Sequence, residues 1–286
     1  MVPESLTEAL KLLAGTPRPV PFAGGTELMV QAGKIREAGK TKEAGDYLFL
    51  HRIPELQGIG GEGRVRIGAA LNFAGLIGSP LCPPLLRRAA LGIGAPGIRN
   101  LGTIGGNICN ASPAGDSLPP LYLYDAVLIL ASLGKGGELL YRRLPIEDFI
   151  LGVRKTALGE GELLAALEIP AASFSHEAYE KAGARKAQAV SKLSFAAAAL
   201  VEGGLIRDFR AAFGAVGPRV LRCRDIEDSL QGAEAAALGE ENNLAGEIIR
   251  AYGERLRPID DQRSTAEYRR TVCLRLLGNC LRWLGS

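Results

Sequence analysis

Two glycine-rich segments carry residue types that can hold an anion. Pro21-Phe22-Ala23-Gly24-Gly25-Thr26-Glu27-Leu28 leads a short apolar run into paired glycines, then a hydroxyl and a carboxylate. Leu101-Gly102-Thr103-Ile104-Gly105-Gly106-Asn107 repeats that composition, with Thr ahead of the pair and Asn behind it. Glycine allows positive φ and close backbone approach, so consecutive N–H groups can converge on a phosphate. Each segment alone is also an ordinary structural turn. Two of them in one chain suit the two anionic groups of a pyrophosphate. Downstream, Asp116 in Ala111-Ser112-Pro113-Ala114-Gly115-Asp116-Ser117 offers a carboxylate. Such a group accepts hydrogen bonds from sugar or ribityl hydroxyls.

Other candidate chemistry fails on spacing. Gly58-Ile59-Gly60-Gly61-Glu62-Gly63 has the dinucleotide-loop pattern but leads into a strand, so it reads as a hairpin turn. Gly92-Ile93-Gly94-Ala95-Pro96-Gly97 carries a proline where that loop must open a helix. Gly33 lies one residue too far from Gly39-Lys40-Thr41 for a P-loop. The five cysteines, at 82, 109, 223, 273 and 280, form no Cys-x-x-Cys pair, and the two histidines, His51 and His176, are remote from them. No metal site or iron–sulfur cluster held by this chain is expected, and no catalytic triad is evident. Cys273 and Cys280, seven apart on a predicted helix, share a face and read as two small buried hydrophobes.

The elements that must position these segments follow from patterning. Ser5-Leu6-Thr7-Glu8 is a capping box ahead of Leu6, Ala9, Leu10 and Leu13 at helical spacing. Strands are predicted at 19–23, 47–50, 64–68, 126–133 and 163–169, with a glycine hairpin at 134–137. Residues 34–46 read as a solvated helix or loop. A short helix is predicted at 81–91. After a composition shift at 171–178 come strands at 177–182, 193–201 and 209–215, then helical patterns at 219–231 and 241–255. Ser264-Thr265-Ala266-Glu267 caps the last helix. Its apolar face is Val272, Leu276, Leu277, Cys280, Leu281 and Leu284; Arg269, Arg270, Arg275 and Arg282 form its expected wet side. Strands and helices cluster without strict alternation, which predicts an α+β fold.

Composition bounds the function further. The 286 residues are 47% hydrophobic and 23% charged, ordinary for a globular chain of about two domains. A net charge of +3 gives no basic field for nucleic acid. No apolar run is long enough for a membrane span, and the first residues lack signal-peptide character, so the chain reads as cytoplasmic.

The glycine segments also carry a resemblance. Ala-Gly-Gly-Thr-Glu-Leu at 23–28 and Thr-Ile-Gly-Gly-Asn-Ile at 103–108, running into Asn-Ala-Ser-Pro-Ala-Gly-Asp at 110–116, resemble the FAD-binding medium subunit of the xanthine dehydrogenase and carbon monoxide dehydrogenase family. These are molybdenum hydroxylases. His51-Arg52-Ile53-Pro54-Glu55-Leu56, Leu167-Glu168-Ile169-Pro170, Asp260-Asp261-Gln262-Arg263 and Glu267-Tyr268-Arg269-Arg270 extend the resemblance over essentially the whole chain. It implies an α+β architecture: a two-subdomain FAD-binding fold of the vanillyl-alcohol-oxidase type over 1–172, split near residue 55, then a smaller α+β domain over 176–286. FAD would lie between the two subdomains. By motif matching, residues 21–28 and 103–107 would carry the pyrophosphate and Asp116 would hydrogen-bond the cofactor. Ile93 falls at the adenine end, Leu164 near the flavin or adenine, and Lys181 where a lysine approaches the flavin. A core Ile, a core Leu and a surface Lys are the other reading of those three. His51 departs from the family's commoner Asn, and residues 34–46 depart from its usual hydrophobic strand approach.

The implied function is electron transfer. Electrons would arrive from a 2Fe–2S subunit, itself fed by a molybdopterin-containing large subunit, and leave to NAD(P)+ or another acceptor. No catalytic residue is expected in this chain. A self-contained flavin oxidoreductase with its own small-molecule substrate is the second class. A binding module whose glycine turns are structural is the third.

Overall fold

The opening helix, Leu6–Leu13, forms where its cap predicts. Ser5 Oγ accepts the Glu8 N–H at 3.2 Å, and the Glu8 carboxylate accepts the Glu4 N–H at 2.8 Å, one residue earlier than the usual reciprocal bond. Leu6, Ala9, Leu10 and Leu13 are buried as the spacing requires. The computed structural model describes residues 1–37, 47–185, 188–239 and 243–286. Of the segment 34–46, the first four residues end the helix Thr26–Glu37; the remainder lies outside the described residues.

The described chain forms two compact units interleaved in sequence. The first comprises Met1–Cys82, Ala95–Ala111 and Ala126–Pro170; the second comprises Pro83–Gly94, Ser112–Asp125 and Ala171–Ser286. The first unit contains a five-stranded antiparallel sheet in the order Ile59–Gly60, Arg64–Gly68, Leu163–Pro170, Val127–Leu133, Leu139–Pro145. The decoy glycine segment 58–63 makes its first hairpin, with Gly61 and Gly63 at φ +118° and +66°. Leu6, Leu10 and Leu13 join Leu48, Ile53, Leu56, Ala131 and Leu163 in one core. A separate parallel pair, Val20–Phe22 with Tyr47–Phe49, delivers the chain into the first glycine segment.

The second unit is a four-stranded antiparallel sheet: His176–Gly183, Ser191–Glu202, Leu205–Gly214, Leu221–Arg222. Gly203 and Gly204, at φ +60° and +79°, make the tight turn between its central strands. One face presents Leu193, Phe195, Ala197, Phe209 and Phe213 to Ile248, Tyr252, Cys273, Leu277 and Leu281 from the last two helices, Leu244–Arg255 and Ala266–Leu284. The opposite face is covered by Pro84–Leu91 and Leu118–Leu123. This second cover explains why two early segments belong to the unit. Asp125 pins it, accepting from Arg222 at 2.6 Å, Arg224 at 2.7 Å and Arg210 at 2.8 Å.

Three expectations shift. The pattern at 219–231 resolves into the short strand Leu221–Arg222 and the helix Arg224–Asp228. At the last helix Thr265, not Ser264, is the cap, accepting the Tyr268 N–H at 3.2 Å. Arg269 leaves the expected wet side: it is 4% exposed and donates to Asp261 at 2.8 Å. The cause is the preceding turn, where Asp261 also accepts the Arg263 and Ser264 N–H groups and lies under the helix start. These bonds, Arg269 foremost, lower the Asp261 carboxyl to about 2.

Candidate cofactor site

The first glycine segment is a turn that opens a helix. Gly25 sits at φ +67°, and a Cβ built there would lie 2.0 Å from the Phe22 ring. The Phe22 ring is itself in contact with Tyr47 and Phe49, at centroid distances of 5.5 and 4.9 Å. A Cβ on Gly24 would lie 2.0 Å from the Leu101 carbonyl oxygen. Both glycines are therefore required by space and one also by conformation. Thr26 then begins the helix Thr26–Glu37. Among the described residues, the backbone N–H groups of Gly24, Gly25 and Thr26 have no partner. Unpaired N–H groups at the positive end of a helix dipole favour an anion.

The second glycine segment is built differently. Thr103 caps the helix Ile104–Asn110, its hydroxyl accepting the Gly106 N–H at 3.1 Å. The Ile104 and Gly105 N–H groups donate to Leu71 and Ala69 carbonyls at 3.1 and 2.9 Å, and that of Asn107 to Thr103 O at 3.0 Å. Sequence composition predicts a repeat of the first turn; the structure shows the N–H groups of Ile104, Gly105, Gly106 and Asn107 committed internally. A Cβ on Gly105 would come within 2.6 Å of Ala69, so this glycine serves close packing. The two segments are neighbours: a Cβ on Gly106 would lie 4.0 Å from the Ala23 side chain, and one on Gly102 3.6 Å from Thr26 Oγ1. Gly106 itself is exposed.

A brace joins the helices that follow the two segments. Arg154, at φ +54°, donates from Nη2 to Glu27 at 2.6 Å and from Nη1 to Asn110 at 3.4 Å. Its backbone N–H donates to the Ala111 carbonyl at 3.0 Å. Glu27, predicted to touch the cofactor, is thus also an anchor for Arg154. The arginine lies 127 positions from Glu27, and nothing in the local sequence marks it. Leu164 is buried in the central strand, opposite Leu130. Pro21 is exposed; Phe22, Ala23 and Leu28 are half-buried.

Three predicted residues lie in the second unit. Lys181 Nζ donates to Asp116 Oδ2 at 2.7 Å and to the Gly92 carbonyl at 2.8 Å, which brings Lys181 beside the backbone of Ile93. The Lys181 side chain is 16% exposed, so it is no ordinary surface lysine. Asp116 is buried, and its Oδ1 accepts from the Ser191 hydroxyl. The Tyr179 hydroxyl donates to the Asp116 main-chain carbonyl at 3.4 Å. Burial pushes the Asp116 carboxyl upward, opposed by Lys181 and Ser191. Burial first, then Asp116, pushes Tyr179 well above its ordinary range. Ser191 and Tyr179 went unmarked because their partner is remote in sequence.

Four of the five cysteine thiols, at 109, 223, 273 and 280, are raised by burial. Burial pushes Cys109 up to about 12, and likewise Cys273 and Cys280. No described helix is long and apolar enough to cross a membrane.

This architecture has relatives. The family described as "FAD binding domain in molybdopterin dehydrogenase" matches residues 1–172, and "CO dehydrogenase flavoprotein C-terminal domain" matches 177–284. The chain is 34% identical over 236 residues to the putative xanthine dehydrogenase FAD-binding subunit of Escherichia coli (strain K12), covering 80% of this chain and 77% of that one. It is 31% identical over 284 residues to the carbon monoxide dehydrogenase medium chain of Hydrogenophaga pseudoflava, covering 98% and 94%. The crystal structure of a Cu,Mo-CO dehydrogenase superposes with a TM-score of 0.85 at 28% identity, covering 99% and 96%. The fold is that of a flavoprotein subunit of an oxidoreductase. The chain belongs to the FAD-binding subunit family of the molybdenum hydroxylases, and FAD is its cofactor.

Proposed function

We propose that this chain is the electron-transfer subunit of a molybdenum hydroxylase, coupling a 2Fe–2S partner to NAD(P)+ or another acceptor, with substrate hydroxylation in a molybdopterin-containing partner. In this reading residues 1–172 are the FAD-binding domain and 176–286 the C-terminal domain. The observation that carries it is the first glycine turn, where the N–H groups of Gly24, Gly25 and Thr26, at a helix N-terminus, have no partner among the described residues. These would hold the pyrophosphate. Thr103 to Asn107 form the neighbouring wall, and Asp116 with Lys181 supplies a paired carboxylate and cation for the polar part of the cofactor. Ile93 and Leu164 supply apolar contacts. FAD, when bound, supplies two-electron chemistry that can be divided into single-electron steps.

The chain's own residues bind and orient; none acts as a general acid or base in this scheme. The neutralised Asp116–Lys181 pair places a carboxylate without adding net charge. The test is anaerobic mixing of the oxidised, FAD-loaded chain with a reduced 2Fe–2S partner subunit while following the visible flavin band. Bleaching of the band is the expected result. Turnover of a small organic donor by the isolated chain, with no bleaching by the partner, would establish the self-contained oxidoreductase instead.

A further inference from the structure

We propose that Ser191 is a positioning residue for the cofactor carboxylate Asp116: its hydroxyl sets the direction in which Asp116 presents its remaining lone pairs. The inference rests on the reading of Asp116 as a cofactor contact. Three observations support it. Ser191 is 1% exposed, and its hydroxyl donates to Asp116 Oδ1 while Lys181 donates to Oδ2. Each carboxylate oxygen thus has one internal donor. A carboxylate has about four acceptor sites, so each oxygen retains one for an incoming hydroxyl. Ser191 is also the first residue of its strand, paired with Gly183 across a register shift that follows Ala182. The same ladder carries Lys181 opposite Ser194. Both groups that hold Asp116 therefore come from adjoining strand ends, and Asp116 itself enters on the turn where Gly115 N–H donates to the Ser112 carbonyl at 2.9 Å.

Lys181 alone would fix one oxygen and leave the carboxylate free to swing about it. Ser191 supplies the second point that defines the plane. A buried carboxylate that loses one donor is less favourably solvated and less directed.

The experiment measures the FAD dissociation constant of the full-length apoprotein, with thermal unfolding of the same apoprotein as the control for folding. Ser191→Ala is expected to weaken FAD binding about tenfold, and Ser191→Thr, which keeps the hydroxyl, to recover most of it. Ser191→Cys, of similar size and a weak donor, carries the same prediction as alanine if the alanine variant does not fold. Wild-type affinity in Ser191→Ala or Ser191→Cys, or an equal loss in Ser191→Thr, would overturn the proposal. Asp116→Asn separates the two levels. If it weakens binding while Ser191→Ala does not, only the positioning role fails. If Asp116→Asn also binds as wild type, the assignment of Asp116 to the cofactor fails with it.

Discussion

The two glycine segments share a composition, Thr beside Gly-Gly, and do different work. At 23–28 the glycines form a turn with one positive φ, and three N–H groups are left without protein partners among the described residues. At 102–107 the pair Gly105-Gly106 lies inside the first turn of a helix, and the N–H groups of Ile104, Gly105, Gly106 and Asn107 are bonded to Leu71, Ala69 and Thr103. The first segment is electrostatically open; the second is a packed wall against it. The lesson is that a glycine pair signals close approach, and only the destination of its N–H groups tells whether the approaching group is a ligand or another part of the chain.

That contrast can be broken at its strongest point first. Gly25→Asp places a carboxylate against the proposed phosphate site at the helix N-terminus. It is expected to lower FAD affinity by more than about 1,000-fold, read by loss of the visible flavin spectrum after purification. Retention of FAD would remove the first segment from the phosphate site. Next in size is Gly105→Ala, whose Cβ would collide with Ala69. It should destabilise the apoprotein by about 2–3 kcal/mol, seen as a lower denaturation midpoint before any cofactor is added. An unchanged midpoint would mean that the second wall is not close-packed.

The two threonines sharpen the contrast with a smaller effect. Thr103→Ala removes a helix cap and should cost about 1 kcal/mol of apoprotein stability. Thr26→Ala, whose hydroxyl faces the second segment, should weaken FAD binding by roughly tenfold with little change in apoprotein stability. If the two variants moved the same observable, the division of labour between the segments would be wrong. In the C-terminal domain, Asp261 gives a pH counterpart. Its folded value, about 2, lies below its ordinary range. Its contribution is therefore present above the unfolded value and is lost as pH falls through about 2. Asp261→Asn should flatten the acid limb of a stability profile.

Much of this was legible in the sequence for physical reasons. Regular patterns report on local burial, so the opening helix, the hairpin at 134–137 and the long strands of the second unit follow from spacing and turn chemistry. The paired glycines report on close approach and so marked both segments. The commitment of the Gly105 N–H to Ala69 was hidden, because a backbone partner leaves no side-chain signature. The inward turn of Arg269 was hidden for a related reason: helical spacing placed it among arginines, and only the fold of Asp261 beneath the helix reverses that. Arg154 and Ser191 reach partners 127 and 75 residues away, a range over which single-sequence patterning carries no information. The covering of the second sheet face by Pro84–Leu91 and Leu118–Leu123 escaped a reading that follows chain order.

The most direct test of the central claim is to titrate the apoprotein with FAD and, separately, with FMN, which lacks the adenylate and so has one phosphate in place of the pyrophosphate. A site organised on the open N–H groups of Gly24, Gly25 and Thr26 predicts tight FAD binding and FMN binding weaker by at least about 100-fold, a difference of about 2.7 kcal/mol. Equal affinity for the two flavins would contradict the account, because the first glycine turn would then contribute nothing that a pyrophosphate requires.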